Sequence, residues 1–190
     1  MTRCARALPH TDWLRHDLSV TGPAPDVAAL RRAAAGAGVI PWVYPDLDHR
    51  EEDQVHALVQ PPDGSAGLSP AAARVLARQL RTAVEVHHQH VLAAAARTTC
   101  PFDLHALVPV PPTILQRGPD DPASQAWLQT NWGTTRALRQ VRLQAHQQRR
   151  SAQLDIQFWA ADWTPWPVFA LLRDRYPALK FAVRPAYGDG

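Results

Sequence analysis

Cysteine and lysine are both scarce in this 190-residue chain. The two cysteines, Cys4 and Cys100, form no C-x-x-C pair and no dense framework, which argues against a disulfide scaffold and indicates a reducing compartment. Lys180 is the one lysine against nineteen arginines, and the formal net charge is only +3. This mild basicity permits an acidic partner without requiring one.

Long apolar runs are also missing. No stretch approaches the roughly 18–20 residues of a membrane span, and the N-terminal residues lack the apolar core of a secretory signal. We therefore expect a soluble, cytoplasmic protein that has no membrane partner.

Motifs of enzymatic chemistry are absent as well. The chain has no G-x-S-x-G, no Walker loop and no G-x-G-x-x-G. Cys100, Asp103 and His105 are too close in sequence to form a triad by spacing alone, and a thiol beside a proline loop is usually inert. We predict no catalytic residue and no cofactor, and a small enzyme or metal-binding protein ranks third among the possible functions.

The clearest pattern runs from residue 154 to residue 187 and predicts strand, helix, strand. Leu154, Ile156 and Phe158 alternate with polar residues, which is typical of a strand with one buried face. Thr164-Pro165 predicts a helix start, with Thr164 as N-cap and proline at the first helical position. Pro177 ends the predicted helix, and a strand follows over 180–185.

The remaining patterns complete a fold. Strands are predicted at 17–21 and 138–145, and a helix at 26–36 has Gly36 as its C-terminal cap. Two β-α-β halves joined by a hairpin predict an α+β, ferredoxin-like (βαββαβ) antiparallel sheet. We expect one domain over 1–190, with its core in 13–40 and 129–187 and a helical insertion at 41–128 between the first helix and the second strand. The strands at 17–21 and 153–159 should form the central pair.

The insertion contains the longest predicted helix, over 69–97. Its apolar residues from Val75 to Val91 form one stripe, so we expect the helix to pack on the core. On that basis Leu80→Asp would cost several kcal/mol through lost burial and an unpaired charge.

Four short stretches, in this order and at this spacing, resemble the Api92-like (DUF1281) family of bacteriophage and conjugative-plasmid proteins. They are the W-L-x-H-x-L-x-V-x-G of residues 13–22, FDLHALVPVP at 102–111, NWGT at 131–134, and DWTPWP at 162–167 with a following Tyr176-Pro177. His16 and His105 stand where the family usually has Asn, and Thr135-Arg136 where it has Lys-Trp, so the chain resembles a distant or subfamily member. The resemblance implies a ferredoxin-like fold and carriage on a mobile element, but no established activity.

Two of these stretches predict a possible recognition corner. One precedes the second strand and the other follows the third, and in an antiparallel hairpin those ends lie side by side. The functional hypothesis is a tryptophan-lined pocket; the alternative, which we favour, is a structural corner in which the rings seal the core and Thr164 caps a helix. The residues concerned are Asn131, Trp132, Gly133, Thr134, Trp163, Thr164 and Trp166.

Histidines suggest a weaker metal hypothesis. His87 and His90 share a helical face at i, i+3 spacing, but the zinc-helix signature of two histidines at i, i+4 is absent. Adding Asp103 and His105 requires a fold-back that the sequence does not establish, so no metal ligand is predicted.

Nucleic-acid binding is the best-motivated specific alternative. Five arginines fall within residues 136–150, a stretch without Asp or Glu, and the sheet face away from the helices carries further basic and aromatic residues. The possible contacts are Arg142, Arg149, Arg150, Trp159, Lys180 and Arg184. The first hypothesis remains a non-enzymatic accessory or interaction protein of a mobile element, and the sequence leaves its partner open between a protein and a nucleic acid.

Overall fold

The computed structural model describes residues 12–43, 47–97, 99–147 and 151–186. These residues form an α+β structure. Its strands are β1 (Trp13–Pro23), β2 (Arg139–Gln147), β3 (Ser151–Ala161) and β4 (Lys180–Ala186). Its helices are α1 (Ala24–Ala34), α2 (Leu47–Val59), α3 (Pro70–Arg97), α4 (Leu104–Leu107), α5 (Pro112–Leu115), α6 (Pro122–Asn131) and α7 (Trp166–Arg175).

The strands form one antiparallel sheet with the order β2-β3-β1-β4. β1 and β3 pair along their whole length, from Trp13 opposite Ala161 to Pro23 opposite Ser151. The prediction that strands 17–21 and 153–159 form the central pair is therefore confirmed.

The alternation of side chains gives the sheet one buried and one open face. Leu18 and Val20 on β1 and Ile156 and Phe158 on β3 are buried, and they pack with residues of α1 and α7 in the hydrophobic core. The intervening residues of both strands point to the open face, where they are partly exposed. This is the arrangement expected of an antiparallel sheet covered on one side.

The chain between α3 and β2 supplies a further part of the core. Phe102 is fully buried and lies against Phe158 and Phe169, with ring centroids 6.0 and 6.5 Å apart. Leu128 and Trp132 are equally buried. The prolines of residues 101–112 do not prevent helix here; they divide the segment so that α4 and α5 are single turns.

Gly36 has a role other than the predicted helix cap. α1 ends at Ala34, and Ala35 is its C-terminal cap. Gly36 instead exchanges two backbone hydrogen bonds with Cys100, at 3.0 and 2.8 Å. A Cβ at this position would lie 2.2 Å from Oδ2 of Asp103. Glycine is therefore needed for close approach between two segments, not to end the helix.

The prediction that α3 packs on the core is wrong. Its packing partner is α2, and among its described side chains only Ala73 and Ala77 are buried. Arg81 links the two helices, donating to Asp48, to Glu51 at 3.2 Å and to Glu85 at 3.1 Å. The larger apolar side chains of α3 are exposed by 36–60%: Val75, Leu80, Val84, Val86 and Leu92. Of the described helices, none combines the length and hydropathy needed to cross a bilayer.

Because Leu80 is exposed on α3, Leu80→Asp should destabilise the fold much less than the sequence predicts. Leu80 is 42% exposed, so a carboxylate there stays hydrated and the free energy of unfolding should fall by less than about 0.5 kcal/mol. Ala77→Asp, three residues away on the same helix, would bury an unpaired charge and should cost several kcal/mol. Urea denaturation of both variants checks this, and an equal loss would contradict the observed orientation of α3.

Candidate functional site

The two motifs of the predicted corner meet in space, as expected. Gly133 has φ +78°, and a Cβ built on it would lie 2.7 Å from Cδ of Pro167 and 3.1 Å from the carbonyl oxygen of Thr164. Only glycine combines this backbone conformation with such close approach. The turn after α6 is thereby pressed against the start of α7.

Internal hydrogen bonds occupy the polar atoms of this corner. Thr134 Oγ1 donates to the carbonyl of Ala161 at 2.9 Å, and Asn131 Nδ2 donates to the carbonyl of Trp127 at 2.8 Å. Trp132 is fully buried, and its indole Nε1–H donates to the carbonyl of Val108 at 2.9 Å. These hydrogen-bond donors are used to hold segments of the fold together and are not available to a ligand.

Thr164 is not the helix cap that the sequence predicted. The N-cap of α7 is Pro165, and the Thr164 hydroxyl lies 2.8 Å from Nε2 of His16. His16 is fully buried, with Nδ1 2.9 Å from the carbonyl of Leu14 and its ring stacked on Phe158 at 5.0 Å. Since a carbonyl only accepts, Nδ1 carries the proton, and in the neutral ring the Thr164 hydroxyl donates to Nε2.

Burial lowers the pKa of His16, although the carbonyl of Leu14 and the charge of Asp17 oppose this shift. The fold therefore favours the neutral ring, and its contribution to stability is present above the unfolded-state pKa near 6.5 and lost as pH falls below it. The free energy of unfolding should drop between about pH 7.5 and about pH 5, and His16→Gln should reduce that drop. His105, whose pKa burial also lowers, accounts for part of the remaining slope. Urea titrations at the two pH values measure the difference; identical slopes would contradict the assignment.

Two tryptophans of the corner remain accessible. Trp163 and Trp166 are each 57% exposed, and Trp166 contacts Phe169 edge-on at 6.2 Å between ring centroids. Of the seven predicted corner residues, these two therefore offer the largest surface to a partner.

The open sheet face carries the predicted basic residues. Arg142 on β2 and Arg184 on β4 lie opposite Gln157 and Asp17, so both project to this face, and Lys180 does the same opposite Thr21. Together with neighbouring polar residues, the two arginines line a shallow groove of about 520 Å³. Arg149 and Arg150 lie outside the described residues.

Carboxylates interrupt this basic surface at its centre. Asp17 accepts from Gln157 Nε2 at 3.1 Å and pairs with Arg15 at 3.1 Å. Asp155 accepts from Gln153 Nε2 at 2.9 Å and lies 3.6 Å from His146. The arginines Arg142 and Arg184 thus stand on the edge strands, on either side of two carboxylates that repel a polyanion.

A stacked arginine at one end of this face is not among the contacts predicted from the sequence. The guanidinium of Arg139 lies 3.9 Å from the ring centroid of Trp13, within the range of a cation–π interaction. Trp159 lies opposite both Arg139 and Arg15 in the strand register. This end of the open face therefore combines two tryptophans with two arginines.

The polar side chains around Cys100 form hydrogen bonds with the backbone that stabilise the fold. Asp103 is buried and accepts from the backbone N–H of Gly38 at 3.0 Å and of His105 at 2.9 Å. Cys100 donates to the carbonyl of Phe102 at 3.3 Å, and burial raises the pKa of its thiol, which disfavours the reactive thiolate.

The histidines of the metal hypothesis are not brought together into a ligand set. His87 and His90 are exposed on α3. Within the described ranges, no three side chains of histidine, cysteine, aspartate or glutamate are placed to hold a metal ion.

Comparisons with known proteins give no match: no family model, no curated protein and no solved structure is significantly similar to this chain. The assignment of a function therefore rests on the surfaces described above.

Proposed function

We propose that this chain is a non-enzymatic interaction protein whose protein-binding element is the α2–α3 hairpin, residues 47–97. In this proposal it is a distant member of the Api92-like family and an accessory protein of a bacterial mobile element. Its partner is a protein that covers the exposed side of α3.

The fold part of the proposal is that the core is ferredoxin-like. The strand order β2-β3-β1-β4, with α1 after β1 and α7 after β3, supports this assignment. The four motifs at residues 13–22, 102–111, 131–134 and 162–167 support the family.

The observation that carries the function is the exposed apolar side of α3. Val75 is 60% exposed and Val86 48% exposed, on a 28-residue helix whose described contacts are made mainly with α2. A helix that is needed only to complete the fold would turn such residues inward. Single exposed apolar residues are ordinary, but these two valines lie on the same side of the helix and line one shallow depression with Thr82 and Ala83, which indicates a binding surface.

Hydrogen bonds at the turn of the hairpin and between its two helices hold this surface in place. Ser69 accepts from the N–H of Ala72 at 3.3 Å where α3 begins, and the backbone of Leu68 donates to Leu58 at 2.8 Å where α2 ends. The Arg81 bonds to Asp48 and Glu51 fix one helix to the other. The exposed valines are therefore presented on a pre-ordered surface, which lowers the entropy cost of binding.

A photocrosslinking amino acid at position 86 tests this proposal in living bacteria that produce the chain. We expect discrete adducts from position 86 and none from Leu171, which is 39% exposed on α7 and serves as a matched control. Val75→Asp on the same face should abolish the adducts, because a carboxylate opposes apolar docking. No adduct from position 86, or the same adducts from both positions, would contradict the proposal.

The stacked end of the open face favours nucleic-acid binding as a second candidate. Trp13, Trp159 and Arg139 provide the flat rings and the cation on which a base of a single strand can stack. The edge arginines Arg142 and Arg184 are placed to contact phosphates. The two central carboxylates weigh against this candidate, so it ranks second.

Salt dependence separates this candidate from the first. If phosphates are bound, the log–log slope of affinity for a single-stranded oligonucleotide should be roughly −0.7 per neutralised phosphate. Replacing Arg142 and Arg184 with glutamine should flatten it by up to about two contacts, and Trp159→Ala should cost roughly 1–3 kcal/mol. Exposed Arg173 and Arg175 on α7 provide a control double variant. Fluorescence anisotropy that detects no binding at physiological salt would contradict nucleic-acid recognition.

A further inference from the structure

The exposed side of α3 contains a regular seam of uncharged residues. Seven positions follow one another at alternating spacings of three and four, the repeat by which two helices interlock. All seven are exposed, and none carries a formal charge. The seam consists of Ala72, Val75, Gln79, Thr82, Val86, Gln89 and Ala93.

Two kinds of heptad position alternate along the seam: Ala72, Gln79, Val86 and Ala93 occupy one kind, and Val75, Thr82 and Gln89 the other. In an antiparallel pair each kind faces the other kind, so the centre falls between Gln79 and Thr82, and the valines Val75 and Val86 lie on opposite sides of it. When two copies of α3 are placed antiparallel about this centre, each Val75 meets Val86 of the second copy. Ala72 then meets Gln89, and Gln79 meets Thr82.

Charge complementarity selects the antiparallel arrangement. Arg78 and Glu85 flank the seam on the same side, one heptad apart, and lie almost symmetrically about its centre. In an antiparallel pair each Arg78 faces Glu85 of the second copy, which gives two opposite-charge pairs. A parallel pair in register would instead place Arg78 near Ala83 and Glu85 near His90 of the second copy, since flanking positions then meet five residues apart.

Both charged side chains are accessible for such a contact. The Arg78 side chain is 81% exposed, and its contact with Glu51 is long, at 3.8 Å. The Glu85 side chain is 43% exposed, and Arg81 Nε donates to one of its oxygens at 3.1 Å. Pro41, Trp42 and Val43 border the seam beside Val86 and Gln89, yet Val86 and Gln89 both remain exposed.

We propose that the occupant of this face is a second copy of the chain, bound through α3 as an antiparallel helix pair centred between Gln79 and Thr82. This inference rests on the proposed function and names its partner. Because glutamines occupy two of the seven seam positions, the pair is a weak dimer that dissociates on dilution. With α2 on the outer side of each α3, the assembly is a four-helix arrangement.

Sedimentation over a range of concentrations tests the dimer with the intact chain. Val86→Asp should weaken association by more than about tenfold, because it places a charge in the seam. Leu171→Asp, a similarly exposed apolar site on α7, should leave association unchanged. Circular dichroism verifies that both variants fold. A wild-type chain that is monomeric at every concentration would overturn the inference, as would equal effects of the two variants.

A mixing experiment tests the antiparallel register. Arg78→Glu alone and Glu85→Arg alone each bring like charges together twice, so each variant should associate several-fold more weakly than the wild type. An equimolar mixture of the two variants should associate at close to wild-type strength, since both charge pairs of the mixed dimer are again of opposite sign. If the mixture associates no more strongly than either variant alone, the antiparallel register is overturned.

The crosslinking experiment at position 86 distinguishes the proposed protein-binding function from the inference that the partner is a second copy of the chain. An adduct with the mass of two chains supports the second copy as partner. Adducts with other proteins alone would overturn this inference while the proposed function stands, whereas the absence of any adduct would overturn both.

Discussion

The antiparallel pairing of β1 with β3 is the constraint on which the rest of the structure depends. Its register places His16 opposite Phe158, so the stacked rings are a cross-strand pair in the centre of the sheet. The same register brings the end of β3 beside the start of β1, and from there the chain passes through Thr164 into α7. The buried histidine, the glycine corner and the core under α7 are therefore all positioned by one strand pair.

The sheet could be predicted because the pattern that identifies a strand lies within a few consecutive residues. Period-2 alternation identified four strands, and antiparallel geometry then brought Asn131–Thr134 against Trp163–Trp166. The role of Thr164 could not be predicted, since Thr-Pro before a helix is typical of a cap and its real partner, His16, is 148 residues away. An apolar stripe likewise shows that a helix has a packing face, but not what covers it; on α3 the covering element is the much shorter α2.

On the open face of the sheet, too, the sequence predicted which residues are present but not which contacts they make. Strand alternation correctly placed Arg142 and Arg184 there. It could not show that Asp17 contacts Gln157 or that Asp155 lies beside His146, because both contacts depend on the cross-strand register. Arg139 was missed for a different reason. Strict alternation puts residues 139 and 142 on opposite faces, and only the irregularity of β2 between them returns Arg139 to the open face, beside Trp13.

The separation of the paired strands in the chain also has a consequence for the order of folding during synthesis. The end of β1 is made long before β3, and at about 5–20 residues per second that interval is on the order of 10 s. Contacts between α2 and α3 are local by comparison and can form as soon as residue 97 is available. The hairpin with its exposed valines can therefore form before β1 pairs with β3, and the proposed assembly through α3 would not require a completed sheet.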